Sequence, residues 1–181
     1  MLLVKNAEVY APEYLGKKDL LICGGKIECM QDSIGELPVE CEILDAEGKI
    51  LTPGFLDQHV HITGGGGEGS FHTRTPELQM SELVENGITT VVGLLGTDGI
   101  TRSVDNLYAK TRVLCEEGVS AYMLTGAYGY PSPTLTGEID RDIVFVKEIL
   151  GVKLAISDHR APNVTEDQLI QIASKARVAG M

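Results

Sequence analysis

Two hydrophobic rhythms divide the chain. Over residues 1–50, apolar and β-branched residues come in short runs, LLVKNAEVY, DLLICGGKIECM and ECEILDAEGKI, which read as strands. Gly24-Gly25 is a hairpin-type turn signal among them, and Glu47-Gly48 breaks the last run. About 50 residues of strand bury only a thin core. Residues 1–51 are therefore expected to form a small β-sandwich-type segment that packs on the remainder of the chain.

From Thr52 the rhythm becomes strand alternating with helix. GFLDQHVHI, ITTVVGLLG, VSAYMLTG and VKLAIS read as strands, the second continuously apolar as a strand buried on both faces should be. A first helix is expected from Thr75 as N-cap and Pro76 to Gly87, with Met80, Leu83 and Val84 on its apolar face. A second runs from about Ser103 to Gly118 with Leu107, Thr111 and Leu114 at helical spacing, and Ile143, Val146 and Leu150 mark a third. Thr165-x-x-Gln168 is a capping-box signature opening a fourth, with Leu169, Ile172, Ala173 and Ala176 on one face. Four βα units fit a doubly wound sheet or a (β/α)8 barrel. A barrel needs eight units and ~250 residues. Residues 52–181 thus read as the first half of a (β/α)8 TIM-like barrel. Half a barrel would expose two strand edges and its interior face, so the other half is expected to lie outside this sequence.

Charge and composition narrow the partners. Fifteen Lys and Arg against 26 Asp and Glu leave a net charge of −11 with no basic patch. Nucleic acid and anionic membrane surfaces are excluded as partners on that ground. No apolar run approaches the ~18 residues of a membrane span, and Lys5 interrupts the apolar start too early for a secretion signal. Cys23, Cys29, Cys41 and Cys115 form no CxxC pair, which points to a reducing cytoplasm.

The chemistry concentrates at Asp57-Gln58-His59-Val60-His61, at the end of the first strand of the βα series. Residues two apart in a strand share a face, so the imidazoles of His59 and His61 can converge on one metal. Barrels also place their active sites at the C-terminal strand ends. Taken bare, an HxH is more often an ordinary pair of surface or core histidines, and context has to decide. Gly64 to Gly67 lacks the framing of a phosphate loop and reads as close backbone approach to a substrate. Ser157-Asp158-His159 are sequence neighbours, which cannot face one another as a catalytic triad.

TPGFLDQHVHI resembles the first-strand signature of the amidohydrolase superfamily, metal-dependent hydrolases on a (β/α)8 barrel. The longer string GFLDQHVHITGGGGEG, followed in order by VVGLLGTD, LTGAYGYPSPT and GVKLAISDHR, resembles one branch, the isoaspartyl (β-aspartyl) dipeptidases, through essentially the whole chain. The resemblance implies that His59 and His61 bind one of two divalent metal ions, zinc by ligand preference. It also implies that CO2 converts Lys153 into a carbamate bridging both ions. Glu68 would hold the free α-amino group of a small dipeptide, and Thr97 would line the pocket. Tyr128 would polarise the scissile carbonyl, and Arg160 would bind a substrate carboxylate.

Elementary chemistry agrees with these roles. A protonated lysine is a poor ligand, and desolvation would free its amine for CO2. Such burial is credible for Lys153 only because it sits between Val152 and Leu154 in an apolar strand. Two metals flanking a water lower its pKa, and a phenol donor such as Tyr128 adds oxyanion stabilisation.

The resembled branch also uses two histidines from the fifth and sixth strands, an aspartate after the eighth and another arginine. None of these falls within residues 1–181, and His72 and His159 stand in the wrong places to substitute. The 181-residue chain alone is therefore expected to be inactive, and the full-length protein a homo-oligomer, as is usual in that branch. Two other functions compete. One is hydrolysis of cyclic amides such as hydantoins or dihydroorotate, where Glu68→Gln would leave activity largely intact because a ring amide has no ammonium. The other is a non-catalytic barrel relative acting as a scaffold, which need bind no metal.

Overall fold

Four apolar runs, each followed by a helix, form a parallel sheet in which sequence order and spatial order coincide. The computed structural model describes residues 1–181. They divide into two compact units, Met1–Pro53 and Gly54–Met181.

The first unit is a five-stranded sheet built on β1 (Leu2–Tyr10). On one side β1 pairs antiparallel with β2 (Tyr14–Cys23), which pairs in turn with β3 (Lys26–Gln31). On the other side β1 runs parallel to β4 (Glu42–Asp45) and β5 (Ile50–Leu51). Gly24 and Gly25 turn the β2–β3 hairpin with φ of 56° and 77°, the left-handed values this tight turn requires. Val4, Ala7, Val9 and Leu20 make its buried core, as thin as the length of the segment predicts.

The second unit orders its strands β6 (Phe55–Val60), β7 (Ile88–Gly93), β8 (Ser120–Gly126) and β9 (Ile149–Lys153), all parallel. The connections carry α1 (Met80–Glu85), α2 (Val104–Glu116) and α3 (Ile139–Phe145), and α4 (Glu166–Ala179) comes after β9. Ser103 caps α2 by accepting from the Asn106 N–H, and Thr165 caps α4 by accepting from the Gln168 N–H. Leu107 and Leu114 of α2 are fully buried with Val91, Ala121 and Met123 of the sheet. Each such leucine contributes about 1.5–3 kcal/mol by leaving water. Along α4 only Ile172 of the expected apolar face is buried. Because the strands are parallel, their C-terminal ends, at Val60, Gly93, Gly126 and Lys153, line one edge of the sheet.

Two elements depart from expectation. The first helix begins at Met80, with Glu82 accepting from the Gln79 N–H at 2.8 Å, and not at Thr75. Thr75 is held elsewhere: its N–H donates to Gly65 O at 2.9 Å and its hydroxyl accepts from the Gly65 N–H at 2.7 Å. The third helix ends at Phe145, and Leu150 belongs to β9, which starts three residues before the expected strand at Val152. Pairing with β8 decides this, since Met123 aligns with Ile149 and Gly126 with Lys153. Lys153 thereby becomes the last residue of its strand.

Candidate metal and substrate site

His59 and His61 lie at the C-terminal end of β6, their rings 5.7 Å apart between centroids and nearly perpendicular. His59 is exposed and His61 half-buried. His61 Nδ1 lies 3.1 Å from Leu94 O, just beyond β7. Donation of the Nδ1 proton to that carbonyl leaves the Nε2 lone pair free, the tautomer a metal ligand needs. Burial pushes the pKa of His61 below the ordinary imidazole value, and the charges of Lys153 and Arg102 push it the same way against the Leu94 hydrogen bond. The ring is therefore neutral at neutral pH. Gly96 makes room for it, because a Cβ there would stand 3.0 Å from His61 Cε1.

Lys153, expected to be buried, is half-buried. It closes its strand, and its amine sits 5.4 Å from the centre of the Tyr128 ring. No three His, Cys, Asp or Glu side chains gather around one point. The imidazoles of His59 and His61 are donors of a kind that fits a metal, and a carboxylated Lys153 would add an anionic oxygen. Imidazole nitrogens with such an oxygen would suit zinc.

Beside His61 opens a cavity of about 210 Å³ that brings together Glu68, Thr97, Tyr128 and Arg160. Glu68 Oε1 accepts from Thr97 Oγ1 at 3.1 Å and from Arg160 Nη1 at 2.7 Å. Arg160 Nε and Nη2 donate to the two oxygens of Asp158 at 2.9 and 2.8 Å. That double bond raises the Arg160 pKa and holds the Asp158 carboxyl well below the usual carboxylate range. The Arg160 guanidinium carbon is also 5.9 Å from the centre of the Tyr128 ring. With Asp158 engaged this way and His159 exposed, Ser157-Asp158-His159 form no triad. His72 sits exposed in a 3-10 turn, Phe71–Thr73.

Arg102, Asp98 and Arg74 carry no sequence signal of a role here, because a polar stretch before a helix cap reads as solvated loop. Arg102 is only 4% exposed. It donates to Thr63 O at 3.0 Å, Gly65 O at 3.0 Å and Thr75 O at 3.2 Å, and reaches Asp98 at 3.3 Å. It thus pins the loop that carries Glu68. The glycines serve the same packing: a Cβ at Gly64 would lie 2.3 Å from Thr75 O, and one at Gly66 2.4 Å from Thr73 O. The close approach expected toward a substrate is therefore first an approach of the chain to itself, although Gly64, Gly65 and Gly66 do line the cavity.

Burial alone would raise the Asp98 pKa. Hydrogen bonds from Thr101 and Ile100 and the charge of Arg74 outweigh it and bring it down to about 2. A carboxyl lowered on folding stabilises the fold above its unfolded pKa, and that stabilisation is lost as pH falls through the folded value. Asp98→Asn should therefore cost about 1–2 kcal/mol at pH 7 and much less near pH 2, checked by urea denaturation at both pH values.

No family model matches the chain. The β-aspartyl dipeptidase of Fervidobacterium islandicum AW-1, solved in complex with a β-Asp-Leu dipeptide, aligns at TM-score 0.92 and 50% identity over 99% of this chain and 47% of its own. A second structure of that dipeptidase aligns at TM-score 0.93 and 49% identity, over 99% of this chain and 50% of its own. Among curated proteins, the dihydroorotase of Listeria monocytogenes serotype 4a (strain HCC23) is 35% identical over 126 residues, 67% of this chain and 28% of the dihydroorotase. The chain spans about half the length of the dipeptidase structures and less of the dihydroorotase. Four parallel βα units, with paired histidines closing the first strand, belong with these relatives: the chain is a member of the amidohydrolase superfamily. Within it the similarity is to the β-aspartyl dipeptidases, and the four units correspond to half of a TIM-type barrel.

Proposed function

We propose that these residues serve the hydrolysis of β-aspartyl dipeptides. The observation that carries this reading is the direct neighbourhood of Glu68 and Arg160, Nη1 to Oε1 at 2.7 Å, in the cavity that His61 and Tyr128 also line. A β-linked aspartyl residue keeps its α-ammonium and its α-carboxylate free on one carbon atom, so its two charges lie as close together as these two side chains. An α-linked aspartyl residue has spent its α-carboxylate in the peptide bond. Glu68, steadied by Thr97, would take the ammonium, and Arg160, steadied by Asp158, the carboxylate. Anchored at that end, the dipeptide would present its amide carbonyl toward Tyr128, whose phenol O–H can donate to the oxygen as it gains negative charge.

His59, His61 and carboxylated Lys153 would hold divalent metal, which supplies activation of a water and polarisation of the carbonyl. The 181-residue chain by itself is expected to bind dipeptide without turning it over.

The test compares β-Asp-Leu with α-Asp-Leu. By NMR titration the chain should bind the β-linked peptide roughly 10- to 100-fold more tightly, the value of one charge-assisted contact. The full-length protein should release leucine from it only with zinc and bicarbonate supplied. Equal affinity for the two peptides, or no response to zinc and bicarbonate, would refute the proposal. The dihydroorotase relatives favour a second reading, cyclic-amide hydrolysis. Turnover of dihydroorotate in preference to β-Asp-Leu would establish it.

A further inference from the structure

Arg160 and Glu68 are 92 residues apart in sequence, and the contact between them joins the loop after β9 to the loop after β6 in the lining of the cavity. Asp158 occupies the Nε and Nη2 side of the guanidinium with both carboxylate oxygens. The plane of the group is therefore fixed and Nη1 is the edge turned to Glu68. On the other side Thr97 holds the same Glu68 oxygen, Oε1, that Nη1 contacts. Each charge thus satisfies the other inside the cavity that both side chains line.

We propose that the Glu68–Arg160 ion pair is a latch that selects ligands by exchange: only a molecule carrying an ammonium and a carboxylate on one carbon atom replaces the pair it breaks. The inference rests on the proposed zwitterion specificity of the site. A ligand with the carboxylate alone would leave Glu68 without a cation, and one with the ammonium alone would leave Arg160 with only Asp158. A zwitterion trades one ion pair for two. The latch is light enough to open, because the Glu68 and Arg160 side chains are 42% and 36% exposed and solvent screens pairs of that kind.

Three leucine conjugates on one skeleton test this against β-Asp-Leu. Succinyl-leucine lacks only the α-amine, β-alanyl-leucine lacks only the α-carboxylate, and propionyl-leucine lacks both. Each is titrated into the wild-type chain and into Glu68→Gln, which keeps shape and removes charge. Opening the latch should tighten succinyl-leucine roughly two- to fivefold, the worth of an exposed ion pair, while β-Asp-Leu and β-alanyl-leucine weaken. A Glu68 that merely receives the ammonium predicts no change for succinyl-leucine. Succinyl-leucine affinity that is unchanged, weaker or undetectable in both proteins overturns the latch. So does equal tightening of propionyl-leucine, which would reflect only the loss of a negative charge. If the wild-type chain fails to prefer β-Asp-Leu over α-Asp-Leu, the substrate reading falls, and the succinyl-leucine comparison still decides the latch.

Discussion

Replacing His61 with alanine is expected to remove zinc binding from the chain. Losing an outer partner of a metal ligand already costs roughly 10- to 100-fold in affinity, and losing the ligand itself should cost more. His61 is the better organised of the two imidazoles, because Leu94 O fixes its tautomer and Gly96 leaves space beside the ring. Its lowered proton affinity sets the pH dependence as well. Protons compete for a ligand only below its pKa, so zinc should persist to lower pH at His61 than at an imidazole of ordinary pKa. Competition with a chromophoric chelator across pH measures both effects. Unchanged zinc affinity in His61→Ala would exclude this residue as a ligand.

A second large effect is expected far from any metal. Asp142 in α3 is fully buried and accepts from Thr125 Oγ1 at 2.5 Å, Leu135 N at 2.9 Å, and Thr136 N and Oγ1 at 2.7 Å each. These bonds tie the segment 127–138, which begins beside Tyr128, back onto α3 and β8. Asp142→Ala leaves the buried Thr125 hydroxyl and the less buried Leu135 and Thr136 donors without this acceptor, which should cost about 1–3 kcal/mol. That is a large share of the roughly 5–15 kcal/mol that holds a domain together. Asparagine should not rescue it, because both carboxylate oxygens accept two bonds and an amide NH2 would face donors. A fall in the urea midpoint at unchanged slope would confirm the effect. A loss below about 1 kcal/mol would show that the segment finds other partners.

How far the sequence could be read depended on the range of the forces involved. Helix caps at Ser103 and Thr165 and the Gly24-Gly25 turn are local, and each is where spacing placed it. Thr75 carries equally good cap chemistry, yet its hydroxyl and N–H are taken by Gly65, ten residues earlier, and the helix starts later. Leu150 fits a helical face with Ile143 and Val146, but pairing with β8 draws it into a strand. Arg102 carries no local signal, since its importance comes from carbonyls 27 to 39 residues away. The site residues taken from the resemblance do share one edge of the sheet, because each closes a parallel strand or lies just after one. Their mutual contacts were not legible.

What the linear order of residues settles here is the alternation of strand and helix and the chemical kinds placed at strand ends: two imidazoles, one amine, a carboxylate and a guanidinium. Hydrophobic period, turn chemistry and helix capping act over a few residues, so pattern and composition suffice to reveal them. Only the folded chain decides that Glu68 and Arg160 bond each other, that Asp158 turns one guanidinium edge toward Glu68, and that Lys153 is half-buried. Such pairings depend on distances between segments many residues apart, and those distances exist only once the parallel strands have packed.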